Sequence, residues 1–169
     1  MIGRLEGRVR RVGDHVNSDY IIASRRKRDT LDGGILKAYL LEAVDPGFAS
    51  SVRPGDILVA GRNFGCGSAM EVAATVILAA GFTVVVAETF ARAFYRNAVN
   101  NGLMPVAAPT AGCLEGDRIV LENDAGRVTI QNARTGVRVI SAAWPPPMAA
   151  ILSAGGLVPY VRRYGRLPV

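Results

Sequence analysis

The chain carries little that could hold a metal. Two cysteines, Cys66 and Cys113, and one histidine, His15, are all that its 169 residues provide. Two thiols by themselves cannot ligate an iron–sulfur cluster or a structural zinc, and they do not form a C-x-x-C pair. They read as free thiols, because nothing supports a disulfide in a chain of this kind. Long apolar runs are also missing. None approaches the roughly 18 residues of a membrane span, and no secretory pattern precedes the first charges. The expectation is a soluble, cytoplasmic protein with no membrane partner. No repeat, low-complexity tract or linker divides the sequence, so residues 1–169 read as one domain, half hydrophobic and large enough for a real core. The net charge of +6 comes from 20 basic against 14 acidic residues. The cations gather at Arg8 to Arg11, Arg25 to Arg28 and Arg162 to Arg166, with no recognition helix or stacking motif beside them. That pattern argues against nucleic acid. Small anionic substrates account for the charge equally well.

What the chain does have is a stretch around which the rest is arranged, from Asp56 to Gly81. Ile57 to Ala60 is a short apolar run suited to a buried strand, and Val72 to Ala80 suits a buried helix ended by Gly81. Between them lies Gly61-Arg-Asn-Phe-Gly-Cys-Gly67, of the glycine-rich kind that lets a backbone approach a ligand closely. Ser68 follows, with Glu71 three residues on. This S-x-x-E spacing predicts a capping box at the helix start, with Gly65, Cys66 and Glu71 as its structural residues. No Gly-Lys-Ser/Thr follows to make a phosphate loop, and the third glycine of a dinucleotide fingerprint is absent. The residues alone leave two readings of Ser68: an N-cap and nothing more, or a residue facing a small anion at a helix entrance with exposed amides.

The remaining segments fall around this unit. Met1 to Val12 reads as a strand, His15 to Asp19 as a polar turn, and Tyr20 to Ala23 as a short buried strand. Ser24 to Gly34 reads as a flexible basic loop, Ile35 to Ala43 as a helix and Asp45 to Gly47 as a turn. Phe82 to Ala87 predicts a strand, and Thr89 caps a helix from about Phe90 to Asn100. Met104 to Val106 is a further strand, completing a βαβ pattern with parallel pairing. Arg118 to Leu121, Arg127 to Gln131 and Val137 to Ile140, separated by glycine turns, predict an antiparallel meander. Trp144 and three prolines end it, and Met148 to Ser153 reads as helical.

Taken in order, these motifs resemble a known family. Asn63-Phe-Gly-Cys-Gly-Ser68 with Glu71, then Ala87-Glu-Thr-Phe-Ala-Arg92, Phe94-Tyr-Arg-Asn97 and Asn101-Gly-Leu103, are similar to the small subunits of 3-isopropylmalate dehydratase, in the aconitase superfamily. Asp14, Asn17-Ser-Asp19, Ile21-Ile22, Pro46 to Ser50 and Val52 to Asp56 extend the likeness upstream. The resemblance implies an α/β fold, the swivelling β/β/α domain of aconitase type: a mixed sheet with flanking helices and an antiparallel meander. It also implies half of an enzyme. A separate large subunit carries a [4Fe–4S] cluster, this chain carries no metal, and Ser68 acts as general base. The reaction is reversible dehydration of a hydroxy di- or tricarboxylic acid. The first reading is 3-isopropylmalate, in leucine biosynthesis. Relatives acting on dimethylmalate, citraconate/methylmalate or homoaconitate-like acids, and a non-catalytic partner or regulator, are the alternatives. The implied substrate contacts are Gly67, Ala69, Met70, Arg26 and Arg28.

Two departures from the family pattern bear on substrate. After the glycine the family shows Ser-Ser-Arg-Glu-His-Ala, whereas this chain has Ser68-Ala69-Met70-Glu71-Val72-Ala73. The family arginine grips a carboxylate with two hydrogen bonds, which Met70 cannot do. Where the family has Arg-Tyr-Leu and a hydrophobic residue, this chain has Arg25-Arg26-Lys27-Arg28. Loop cations supplying the charge that Met70 lacks would reconcile the two.

Overall fold

The computed structural model describes residues 3–168. Seven strands form one sheet: β1 (Arg4–Arg11), β2 (Ile57–Ala60), β3 (Val84–Ala87), β4 (Met104–Ala107), β5 (Arg118–Asp124), β6 (Arg127–Asn132) and β7 (Arg138–Ile140). The helices are α1 (Ser18–Ile21), α2 (Gly33–Leu36), α3 (Phe48–Ser51), α4 (Val72–Ala79), α5 (Arg92–Asn101), α6 (Pro146–Ser153) and α7 (Leu157–Tyr164). The strand order is β4-β3-β2-β1-β5-β6-β7. On one side β1 pairs parallel with β2, which continues through β3 to β4; on the other it pairs antiparallel with β5 and the meander. This is the expected mixed sheet with flanking helices and a meander.

The parallel half explains why its strands are apolar at every position. Leu58, Ala60, Val85 and Ala87 face one cluster, with α4 and Phe64; Ile57, Val59, Val84 and Val86 face the other, with Trp144, Ile151 and Leu152. A strand covered on both faces has no solvent side to keep polar. After β7 the chain crosses back over the sheet. Ser141 N donates to Val128 O of β6, Ala142 N to Ala107 O of β4, and Trp144 Nε1 to Pro105 O. The two ends of the sheet are thereby drawn together around the second cluster.

Several local expectations are revised. Met1 and Ile2 of the expected first strand lie outside the described residues. Tyr20 to Ala23 is no strand: Asn17 Oδ1 accepts from Asp19 N and Tyr20 N and turns the chain into α1. The expected helix from Ile35 to Ala43 stops at Leu36 and continues as a 3₁₀ turn at Lys37–Tyr39. Leu41 then takes a left-handed conformation while its N–H is held by Ile21 O. The basic loop is ordered over Ser24–Lys27 as a 3₁₀ turn. Thr89 is not the cap of α5, whose first flanking residue is Ala91; its hydroxyl accepts from Asn63 N instead. Helix α3 is too short to show an apolar period, whereas α7 shows one, Leu157, Tyr160, Val161 and Tyr164 at helical spacing, and the sequence reading missed it.

Two buried carboxylates pin the strands. Asp117 accepts from Arg134 at 2.6 and 2.9 Å, from Leu114 N and from Asn132 Nδ2, and these bonds hold its carboxyl far below the usual range. At Asp56, burial works against ionisation, but Arg8, the Arg53 amide and the charge of Arg10 outweigh it and keep the carboxyl low. A carboxyl depressed by folding stabilises the fold above its unfolded pKa, and that stability is lost as pH falls through the folded value. The melting temperature should therefore drop on acidification over roughly pH 4 to 2. Asp117→Asn should lower it at neutral pH and flatten the acid drop; a melting curve as steep in acid as the wild type would place the acid sensitivity elsewhere.

Candidate functional site

The loop after β2 is laced to both of its neighbours. On one side Gly61 N donates to Gly13 O, Gly65 N to Val16 O and Ser18 N to Cys66 O. On the other, Phe64 N donates to Thr89 O and Ala91 N to Phe64 O. Phe64 is fully buried and meets the rings of Phe94 and Phe90 edge-on, with centroids 5.0 and 6.2 Å away. Gly65 lies at φ +75° against the Phe94 ring, and Gly67 at φ +87° beside Ser18. The Cys66 thiol donates to His15 O at 3.5 Å, and His15 Nδ1 lies 3.3 Å from Asn63 Nδ2. These bonds leave the loop a single course, and it delivers Ser68 to the surface.

At Ser68 the predicted capping box does not form. Helix α4 begins at Val72, its N-cap residue is Glu71 in helical conformation, and no side chain caps it. Glu71 Oε1 instead accepts from Asn101 Nδ2 at 3.1 Å, a bond across to α5. The Ser68 backbone is held, since Ser18 Oγ donates to its carbonyl at 2.9 Å. Its hydroxyl has no partner among the described residues and stands exposed with Gly67 and Ala69. The result is a fixed backbone with a free hydroxyl, next to a helix start where Ala73 N and Ala74 N donate to Met70 O and Glu71 O and the Val72 N–H has no partner among the described residues. Such an edge suits an anion.

The basic loop divides its cations. Arg26 makes a two-bond pair with Glu42 at 3.0 and 2.9 Å, and its guanidinium lies 3.8 Å over the Tyr39 ring. Arg25 shares the same carboxylate. Hydrogen bonding by Arg26 holds the Glu42 carboxyl low. Arg28 is exposed and makes no hydrogen bond or ion pair among the described residues. Lys27 turns inward, with its Nζ against Met70 Sδ and 3.4 Å from Asp19 Oδ1. Of the loop cations it alone touches the Ser68–Glu71 segment among the described residues. The sequence reading passed over it. Four adjacent cations look alike in sequence, and which one turns inward is decided by the 3₁₀ turn.

Comparison with known proteins agrees on what this arrangement is similar to. Residues 34–111 match the family described as the aconitase C-terminal domain. The chain is 45% identical, over 93% of its length and 94% of the relative's, to the 3-isopropylmalate dehydratase small subunit of Desulfovibrio desulfuricans. It is 43% identical to the methanogen homoaconitase small subunit of Methanothermobacter thermautotrophicus, over 94% of this chain and 91% of that one. Among solved structures, 3-isopropylmalate dehydratase from Methanocaldococcus jannaschii superposes with a TM-score of 0.90 at 36% identity, covering 96% of this chain and 95% of the other.

Proposed function

This chain belongs to the family of 3-isopropylmalate dehydratase small subunits, and from that premise we propose that it is the small subunit of a hydro-lyase acting on 3-isopropylmalate. It works as one unit with a separate large subunit in the cytoplasm; among the described residues no helix is long and apolar enough to cross a membrane. The observation that carries the reading is Ser68, whose backbone is anchored while its hydroxyl is left free.

Ser68 takes the proton from the substrate carbon beside a carboxylate. The released electron pair becomes the new C=C bond as the hydroxyl on the neighbouring carbon leaves, so one proton and one hydroxide depart as water. The reverse step returns them. A serine oxygen removes such a proton only where its own negative charge is stabilised, and the unbonded Val72 N–H at the start of α4, with the helix dipole behind it, offers that stabilisation. Gly67 and Ala69 leave room for the substrate backbone to approach. The donor set of this chain does not fit an iron–sulfur cluster: Cys66 and Cys113 are its only thiols, and Cys113 is buried. We place the cluster on the large subunit, where it would supply the acid that takes the departing hydroxyl.

The test is reconstitution. The chain and its large subunit, assayed separately and together on a panel of hydroxy acids, should be active only together and fastest with 3-isopropylmalate. A pair inactive on every acid would leave the chain a non-catalytic partner. Arg28, exposed and unpaired, favours a second reading in which a longer acid brings a further carboxylate to the loop. On that reading homoaconitate-like acids would be preferred, and Arg28→Ala would raise KM for them by about 10- to 100-fold. On the first reading Arg28→Ala should leave KM for 3-isopropylmalate within about two-fold, since an alkyl group gains nothing from a guanidinium.

A further inference from the structure

We propose that Lys27 is the cation that receives the substrate carboxylate beside Ser68, held ready against the side chain of Met70. This deepens the function proposed above and rests on it. Only about a tenth of the Lys27 side chain is exposed. An ammonium in that position needs an oxyanion or several good acceptors. It has neither. Its nearest partner is a thioether sulfur, a weak acceptor, and its ion pair with Asp19 is long at 3.4 Å. Asp19 is also committed to the Ser24 hydroxyl, the largest cause of its lowered pKa, with Lys27 adding to the effect. The charge on Lys27 therefore has capacity to spare.

The position of that charge matters as much as its state. Met70 lies two residues after Ser68 and immediately before Glu71, where α4 starts without a cap. The ammonium touches Met70, which is two residues from Ser68 and adjoins the start of α4, so on the proposed role ammonium, helix start and serine hydroxyl serve one ligand. A substrate carboxylate drawn to the first two would bring its neighbouring carbon to the third. Met70 is unbranched and polarizable, so it can fold aside once an oxyanion takes its place. The other loop cations are not placed for this role: Arg25 and Arg26 are spent on Glu42, and Arg28, though unpaired among the described residues, stands in solvent. Charge that cannot come from position 70 is thus delivered from the 3₁₀ turn at Ser24–Lys27. Carboxylate binding becomes conditional on that turn staying docked, through Lys27, on the start of α4.

The experiment uses the assembled two-subunit enzyme and the acid that the wild type turns over fastest. Lys27→Met, which keeps the length and removes the charge, should raise KM by about 10- to 100-fold with kcat changed far less. Adding Met70→Arg to that variant returns a cation to the start of α4 from the other side, and should recover most of the loss. An unchanged KM in Lys27→Met would overturn the proposal. If that variant also lowers the melting temperature of the isolated chain, the double variant decides: recovery of KM supports the role, and no recovery makes Lys27 a structural tether only. A wild-type complex that turns over no acid would defeat the functional reading itself, and the role of Lys27 with it. A working wild type with an indifferent Lys27→Met defeats the Lys27 proposal alone.

Discussion

Replacing Ser68 by alanine is expected to cut turnover of the assembled enzyme by about 10²–10⁴-fold, the usual contribution of a positioned base, and to leave the melting temperature of the chain where it was. The two halves of this result come from the same geometry. In a capping box the Ser68 hydroxyl would bond a first-turn amide, and its removal would cost about 1 kcal/mol. Here Glu71 is the flanking residue of α4, its carboxylate is turned to Asn101, and the hydroxyl of Ser68 bonds nothing among the described residues. What Ser68 contributes to the fold is its carbonyl, which accepts from Ser18 Oγ and survives the substitution. Activity and stability should therefore separate cleanly. Near-wild-type turnover with an unchanged KM would remove Ser68 from the chemistry. A drop in melting temperature that matched the drop in rate would make it a structural residue after all.

The separation has a physical logic. A base that also capped a helix would have its lone pairs engaged by an amide in the resting state, and would have to break that bond before accepting a proton. Leaving α4 uncapped avoids the conflict and leaves the Val72 N–H, unbonded among the described residues, available to charge that develops during the reaction, while Ala73 N and Ala74 N bond Met70 O and Glu71 O. The cost falls on stability, and the loop's other bonds offset it.

Much of this was legible in the sequence because the informative elements are local. Ile57 to Ala60, Val72 to Ala80 and Phe82 to Ala87 are apolar runs of the right length, each with a glycine directly at one end, and each lies within a residue or two of the element observed. The meander was announced by alternation and by its two turns. What failed was one missed local cap and several pairings decided over longer range. Tyr20 to Ala23 has strand-like composition, yet Asn17 caps the preceding turn and half of Tyr20 is left exposed. The S-x-x-E pattern at Ser68 is a sound local signal, but Asn101, thirty residues on, takes the glutamate. Arg26 and Lys27 are neighbours of the same charge. Glu42 and Tyr39 claim the first and Met70 meets the second, and neither pairing could be read from spacing. The candidate site was thus legible in its glycines and its serine, and illegible in its charges.

The glycines make the last prediction, and the largest for stability. Gly65→Ala should destabilise the chain by about 2–5 kcal/mol, a drop in melting temperature of about 5–15 °C for a protein of this size. Two costs add. The residue sits at φ +75°, where an L side chain crowds its own backbone, which accounts for about 1 kcal/mol or more. A Cβ there would also stand 2.2 Å from Phe94 Cγ and 2.4 Å from Phe94 Cβ, so something must move. The Phe94 ring is poorly placed to yield: it is 2% exposed, stacked on Phe90 and set edge-on against Phe64. The loop is no freer, because Gly65 N is bonded to Val16 O and Phe64 is bonded at both N–H and C=O to the strand-end segment at Thr89 and Ala91. Gly112, with no atom within 4 Å of its added Cβ, supplies the control; alanine there should change stability by no more than about 0.5 kcal/mol. Phe94→Leu combined with Gly65→Ala should recover part of the loss by opening space at the ring, leaving the backbone cost in place. Thermal melts of the four chains separate the two terms. Were Gly65→Ala to melt with the wild type, the loop would be held by its hydrogen bonds alone, and the contact with Phe94 would have no part in presenting Ser68.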